Sequence, residues 1–503
     1  MNKRVKLFWK ESMLPLIAGG LLPLSLSPFH YYPLGVVSLA LLFFSWDNAT
    51  AKQAALRGFL FGIGMFGVGI SWIYVAIHQF GQASVALAVL MTALFVSFMA
   101  SYLAVLGWLV KQLSNGEFSS RDTLLLLPVA WVFFEWFKSW FLTGLAWLEV
   151  GTGQIDGPLS GYIPVVGSLG VSLLVAVSAS LLVLIWKRRS WQSGLTFIAL
   201  WFGGYGMQSA EWTFATGDEM QVSIIQNNVP QELKWNKEQL FKTLALYQAR
   251  TEENWQSDLI VWPENAITVF HHQVKAFYLD PLAKLAKEND TALLLGLPVQ
   301  DEKTGDYYNA MVAIEDEQEA FYYKNHLVPF GDYVPFEWLR GVVAFFDLPM
   351  SSFRPGAVSD ELIRVAGQTL GISICYEDIF STEILRNVPE ARILVNATNN
   401  AWYGDSFAPH QHLQMSQNRA LETGRPIVRA TTNGISAFID FKGHLKQQSA
   451  QFQEVVLTDH VQARQGATPY AKWGRLPLFL GSLFMLMLWL LLYRQVDRNK
   501  RAN

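Results

Sequence analysis

Long apolar runs recur through the first two hundred or so residues of this 503-residue chain, and no other feature limits its fold as much. A helix that crosses a bilayer needs roughly 20 consecutive apolar residues. Segments near that length lie at 12–29, 32–48, 56–77, 84–110, 123–143, 163–186, 192–208 and 475–493, which predicts about eight spans. Hydrophobic residues make up 51% of the chain and charged residues only 16%, the balance of an integral membrane protein. Segment 192–208 is the weakest: Trp191, Gln192 and Ser193 dilute one end, Gly203 and Gly204 the other.

Basic residues test that count independently. Lys3, Arg4, Lys6 and Lys10 precede the first span, Lys52 and Arg57 lie between the second and the body of the third, and Lys111 and Arg121 follow the fourth. Lys187, Arg188 and Arg189 follow the sixth, and Arg494, Arg498, Lys500 and Arg501 the last. If spans alternate, all of these fall on one side. The opposite loops, 30–31, 78–83 and 144–162, hold no Lys or Arg, so the positive-inside rule places both termini in the cytoplasm; Lys472 and Arg475 are local exceptions. The basic, apolar amino terminus reads as an uncleaved first helix, because further spans follow at once. Gly58, Gly62, Gly64, Gly67 and Gly69 in the third span read as close-packing positions. Glu135 and Lys138 in the fifth are spaced to pair on one helix face.

The character changes between 209 and 474, where the chain is long enough to hold a core of its own. The predicted organisation is a helical membrane domain at 1–208, an extracytoplasmic α/β domain at 209–474, and a last span with a cytoplasmic tail at 475–503. Short apolar runs rich in β-formers, Met220–Gln226, Asp258–Trp262, Ala292–Gly296, Ala310–Ile314, Leu370–Ile374, Arg392–Val395 and Ile435–Ile439, read as buried strands. Helical patterns alternate with them: a capping box at Asn236 and Gln239 leads into Leu240, Leu244 and Tyr247, and 272–289 and 410–423 are similar. Alternation of this kind implies a layered α/β domain. A net charge of -3, with no basic stripe, argues against a nucleic-acid partner.

Cys375 is the only cysteine. It has no partner for an internal disulfide, and a Cys-based metal site recruits several thiolates, which leaves a packed thiol or a nucleophile. His410 and His412 splay apart on their predicted helix and read as capping or surface histidines, so no metal and no cofactor are expected. Three segments each place a reactive group where a strand meets a loop: Val261-Trp-Pro-Glu264, Lys324-Asn-His-Leu-Val-Pro-Phe-Gly-Asp332-Tyr-Val-Pro335, and Ile374-Cys375-Tyr376-Glu377. A carboxylate can take a thiol proton, the thiolate can attack a carbonyl, and an ammonium can stabilise the oxyanion that develops.

In that order these segments resemble the Glu-Lys-Cys triad of the nitrilase (carbon-nitrogen hydrolase) superfamily. With seven spans before the domain and one after it, the chain resembles the membrane-embedded apolipoprotein N-acyltransferase family over nearly its whole length. Leu142-Thr-Gly-Leu-Ala-Trp147, Gln154-Ile-Asp-Gly-Pro158, Leu233-Lys-Trp235, Tyr308-Asn309-Ala and Pro409-His-Gln-His-Leu-Gln-Met415 are similar to its recurring stretches.

The resemblance implies an αββα sandwich that carries out a ping-pong acyl transfer. Cys375 takes the sn-1 acyl chain of a phospholipid, phosphatidylethanolamine by expectation, and passes it to the α-amine of a diacylglyceryl-cysteine at the amino terminus of an apolipoprotein. Glu264 would be the general base, Lys324 the oxyanion partner, and Asp332, Glu377, Tyr376 and Asn309 accessory residues. The family commonly has Glu where this chain has Asp332, one methylene shorter. Trp147, Trp235, Trp402 and Tyr403 would contact acyl chains or guard the thiol; their plainer reading is core filling or an interfacial belt. The expected setting is a monomer in the inner membrane of a Gram-negative-type bacterium. Two other classes stay open: a membrane-anchored amidase that uses the same triad on a small amide, and a receptor or transporter that kept only the fold.

Overall fold

The computed structural model describes residues 3–114, 116–334, 352–357 and 362–502, with side chains left out for 3–10 and 496–502. Pro335, and the side chains of Lys3, Arg4, Lys6, Lys10, Arg498, Lys500 and Arg501 in the charge pattern, lie outside what is described. The chain divides into two compact units, 1–74 with 85–210 and 472–503, and 75–84 with 211–471. The second unit thus takes in residues 75–84, which the sequence reading placed in the membrane domain.

The first unit is helical. Its helices are α1 (Lys3–Leu21), α2 (Pro33–Asp47), α3 (Ala51–Gly69), α4 (Val85–Leu113), α5 (Leu127–Lys138), α6 (Ile163–Arg188) and α7 (Trp191–Met207), with a C-terminal helix Leu476–Ala502. Among the described residues three helical stretches, Val85–Leu113, Pro158–Arg188 and Leu476–Gln495, are long and apolar enough to cross a membrane; a fourth counts if Ala51–Gly69 and Ile73–Phe80, bent by 60°, form one broken span. Glu11–Ser25 and Pro33–Asp47 are shorter apolar helices. The continuous helix predicted over 56–77 is therefore interrupted after Gly69, and that predicted over 123–143 stops at Lys138.

Small residues let these helices approach closely. A Cβ on Gly58 would lie 2.2 Å from the Leu103 carbonyl oxygen of α4, and one on Gly64 would lie 2.1 Å from the Leu16 oxygen of α1. Helix α3 is thus wedged between two neighbours. Gly62 and Gly69 are similarly crowded, whereas Gly67 has nothing within 4 Å and does not fit the packing reading. Glu135 and Lys138 are fully buried, but they bind the 145–150 segment rather than each other. Glu135 Oε1 accepts from Trp131 Nε1 and from the Val150 N–H, both at 2.9 Å. Lys138 Nζ donates to the carbonyls of Leu145 (2.9 Å) and Trp147 (2.6 Å).

The second unit holds two six-stranded sheets. In chain order the strands are β1 (Thr213–Gln226), β2 (Leu259–Val261), β3 (Ala292–Gln300), β4 (Tyr307–Glu315), β5 (Gln318–Tyr323), β6 (Ile363–Val365), β7 (Gln368–Ile374), β8 (Ile393–Thr398), β9 (Ile427–Thr431), β10 (Ala437–Ile439), β11 (Leu445–Gln448) and β12 (Val455–Gly466). The first sheet runs β12-β1-β2-β3-β4-β5 and the second β11-β10-β9-β8-β7-β6. β1, β2 and β3 are parallel, as are β7, β8 and β9. Helix α8 (Lys237–Glu252) and the stretch His271–Val274, Lys275–Leu279 and Asp280–Glu288 cover the first sheet, packing Leu244, Tyr247 and Leu282 on Ile260, Leu293 and Val312. Helix α9 (Ala408–Thr423) covers the second through Leu413 and Ala420 against Leu394 and Ile427. Between the sheets, Gln226 Oε1 of β1 accepts from Thr431 (3.0 Å) and Ser436 (2.7 Å). The cap of α8 differs from the predicted box: the Asn236 side chain accepts from the Glu238 N–H.

Candidate active site

Parallel strands gather their carboxyl ends on one edge, where ligands of open α/β sheets usually sit. Glu264 follows β2, Cys375 follows β7, Asn399 follows β8 and Thr432 follows β9, while Lys324 follows the antiparallel β5. Buried, fully apolar strands such as β2 (Leu-Ile-Val) hold these ends rigidly. Trp262, stacked on Tyr247 at 4.3 Å, anchors the turn that carries Glu264. Gly296 on β3 makes the turn possible: a Cβ there would lie 2.2 Å from the Pro263 oxygen and 2.9 Å from Glu264 Cα.

Glu264 is saturated with donors. Its Oε1 accepts from Asn309 Nδ2 (2.7 Å) and Lys324 Nζ (3.2 Å), and its Oε2 from the Asn399 N–H (2.9 Å). Lys324, 1% exposed, also lies 2.7 Å from Asp332 Oδ2. Burial works against its charge, but Asp332, Glu264 and Cys375 outweigh it, so its pKa lies well above the ordinary lysine value. The shorter Asp332 thus reaches the ammonium. Asp332 also accepts the Val328 N–H at 2.8 Å, which fixes the loop that bears it.

Cys375 has φ of 52°, a left-handed conformation that costs a non-glycine residue about 1–3 kcal/mol. The strain lifts the residue out of β7 at a strand-to-helix turn, much as a nucleophile elbow does. Asn396 Nδ2 holds the Cys375 carbonyl at 3.3 Å. Burial, then the nearby Glu264 carboxylate, push the thiol up to about 12, against the pull of Lys324 and a hydrogen bond from Thr398. At neutral pH Cys375 is therefore a thiol, and it needs a base to react.

Glu377 clamps the two loops together. Its Oε1 accepts from the N–H groups of Asn325 (2.6 Å) and His326 (3.1 Å), and its Oε2 from that of Ile374 (2.6 Å) and from Tyr322 OH (2.8 Å). Burial raises its pKa to about 7 despite these donors. Burial also raises Tyr376 and Tyr403, which both lie in the field of Cys375. Trp402 stands edge-on to Phe80 at 6.1 Å, Trp235 is partly exposed at the end of the short helix Gln231–Lys234, and Trp147 is buried in the helical unit against Trp72 (5.1 Å).

Some functional neighbours were not anticipated. His412 is not a capping or surface residue: it is 2% exposed, and its Nε2 lies 2.6 Å from Asp378 Oδ1. Asp378 also pairs with Arg429 at 3.0 Å, and Arg429 reaches Asn396 at 2.7 Å, so a buried polar network lies behind the Cys375 turn. His410 is partly buried, 2.9 Å from Gln451 Nε2. Lys234 was also missed, although it sits inside the Leu-Lys-Trp stretch; its Nζ donates to the Glu264 carbonyl at 3.1 Å.

Residues 18–181 match the apolipoprotein N-acyltransferase N-terminal domain, and residues 221–470 the carbon-nitrogen hydrolase domain. A protein of Methylococcus capsulatus named apolipoprotein N-acyltransferase is 42% identical over 475 residues, 93% of each chain. Proteins of the same name from Pseudomonas aeruginosa (39% over 503 residues, 98% of each chain) and Nitrosomonas europaea (39% over 458 residues, 90% of this chain and 91% of that one) are similar along nearly all of this sequence.

Proposed function

The chain belongs to the apolipoprotein N-acyltransferase family, and from that premise we propose a two-stage acyl transfer through Cys375. It is an acyltransferase that N-acylates lipoproteins, built on a carbon-nitrogen hydrolase fold. One observation carries the mechanistic reading: Asn309, Lys324 and the Asn399 N–H converge on the Glu264 carboxylate, beside a strained thiol in the same buried cluster.

In the first stage Glu264 takes the Cys375 proton, and the sulfur attacks the sn-1 ester carbonyl of a phospholipid such as phosphatidylethanolamine. Lys324, held by Asp332, stabilises the tetrahedral oxyanion. As the ester bond breaks, protonated Glu264 returns its proton to the departing lysophospholipid oxygen, leaving a thioester. In the second stage the α-amine of a diacylated apolipoprotein attacks that thioester. Glu264 accepts the amine proton and passes it to the leaving sulfur.

Asn309 orients Glu264, Glu377 and Tyr376 support the Cys375 and Lys324 loops, and Trp235, Trp147, Trp402 and Tyr403 contact acyl chains. The apolar helices cross the inner membrane of a Gram-negative-type bacterium, both termini are cytoplasmic, and residues 209–474 work in the periplasm as part of a monomer. Exclusion of water favours aminolysis of the thioester over its hydrolysis.

The test is intact-mass measurement of the purified protein after incubation with phosphatidylethanolamine. A gain of one acyl chain, absent in Cys375→Ala and discharged by a diacylated lipopeptide, is expected. Turnover of a small amide with no adduct would point to the amidase reading instead.

A further inference from the structure

Lys234 is 5% exposed and sits at the end of the short helix Gln231–Lys234, where its ammonium meets two neutral acceptors: the Glu264 carbonyl at 3.1 Å and Thr432 Oγ1 at 3.3 Å. Among the described residues no carboxylate lies within ion-pair distance of it. The other cations of the cluster are compensated. Lys324 has Glu264 and Asp332, and Arg429 has Asp378. A buried ammonium without a counter-ion is costly and calls for an explanation.

The charge inventory supplies one. Glu264 and Asp332 against Lys324 leave one negative charge in excess, and transfer of the Cys375 proton to Glu264 moves that charge onto the sulfur. Asp378 and Arg429 cancel, His412 is held neutral by burial and by Arg429, and burial keeps Tyr376 and Tyr403 neutral. Glu377, half-ionised near neutrality, adds only to the negative side. We infer that Lys234 is a second cation of the active site, a positioning and charge-balancing residue that offsets the negative charge developed when Cys375 loses its proton.

This rests on Cys375 being the nucleophile. No bond to Lys234 forms or breaks, and it keeps its proton throughout. Its own field points the same way: burial lowers Lys234 to about 8, while Glu264 and Cys375 act to hold its charge. Near neutral pH it is mostly charged, and it loses that charge as pH rises through about 8.

Because Cys375 is the only cysteine, alkylation by iodoacetamide reports on it alone. Rates would be measured from pH 6 to 10 on the full-length protein in detergent, with the wild-type acyl adduct confirmed first. Lys234→Met should be slower than wild type on the order of tenfold at pH 7, equivalent to about one pKa unit of the thiol, and the two curves should converge above pH 9, where wild type has lost the same charge. Lys234→Arg should follow wild type at pH 7 and exceed it at pH 10. If Lys234→Met does not fold, Lys234→Gln, which keeps a donor for the Glu264 carbonyl, reads the same convergence. Equal rates at pH 7, or a parallel loss that never converges, would overturn the inference, the latter being what a purely structural role predicts. Absence of an acyl adduct in wild type would instead sink the acyl-enzyme reading.

Discussion

Asp332 Oδ2 lies 2.7 Å from Lys324 Nζ, although its side chain is one methylene shorter than a glutamate. The reach is made up by the backbone. The Asp332 N–H donates to the Val328 carbonyl at 2.9 Å, and Asp332 Oδ2 accepts the Val328 N–H at 2.8 Å, closing a tight turn that brings the carboxylate in.

Asp332→Asn should therefore slow acyl-adduct formation by roughly 10²–10³, the range seen when an electrostatic stabiliser of a tetrahedral intermediate is lost. Asp332→Glu keeps the charge and should lose far less. Rapid-quench mass measurement separates the two, and equal losses in both variants would mean that loop geometry rather than charge is decisive.

A thiol pushed to about 12 is almost wholly protonated at pH 7, so removal of Glu264, its proposed base, should be severe. Glu264→Gln is expected to reduce the acylation rate by about 10²–10⁴, with the residual rate climbing steeply with pH as hydroxide and solvent replace the base. A flat pH profile in that variant would exclude Glu264 from proton transfer.

Glu377 carries a pH signature in stability. Its folded pKa, raised to about 7 by burial, exceeds the ordinary carboxyl value, so the folded state binds the extra proton. Its stabilising contribution is full below about pH 4.5 and is lost as pH rises through about 7. The melting temperature of wild type relative to Glu377→Gln should fall between pH 5 and pH 8. A constant difference across that range would contradict the shifted titration.

Gly296→Ala places a methyl against Pro263 and Glu264, where the backbone must give way. We expect destabilisation of about 1–3 kcal/mol from overpacking. Because Glu264 moves with the turn, kcat should fall more than KM for phospholipid changes. A kinetically silent substitution would show that the turn tolerates the displacement.

Much of the second unit was legible along the chain. Runs such as Leu370–Ile374 and Ala292–Gly296 are short, apolar and β-branched or leucine-rich, and they became β7 and the core of β3. β9 was missed because Ile-Val-Arg-Ala-Thr carries an arginine, which reads as exposed; in the fold Arg429 is fully buried and satisfied by Asp378 and Asn396. β12 was missed because its residues alternate between partly exposed and buried without a continuous apolar run. His412 was misread for the same reason as Arg429: its partner Asp378 is 34 residues away in sequence.

The order of amino acids by itself determined the helical membrane-type region, the α/β domain, and the three segments that hold Glu264, Lys324 and Cys375, because hydrophobic period and local motifs are properties of neighbouring residues. Tertiary structure decided what those side chains meet. The Asn399 N–H on Glu264, the Glu377 clamp across 52 residues to Asn325, the left-handed turn at Cys375 and the Lys234 ammonium on the Glu264 carbonyl all depend on distances between strands remote in the chain. Burial set the ionisation of the thiol, and burial arises only when the sheets close over it.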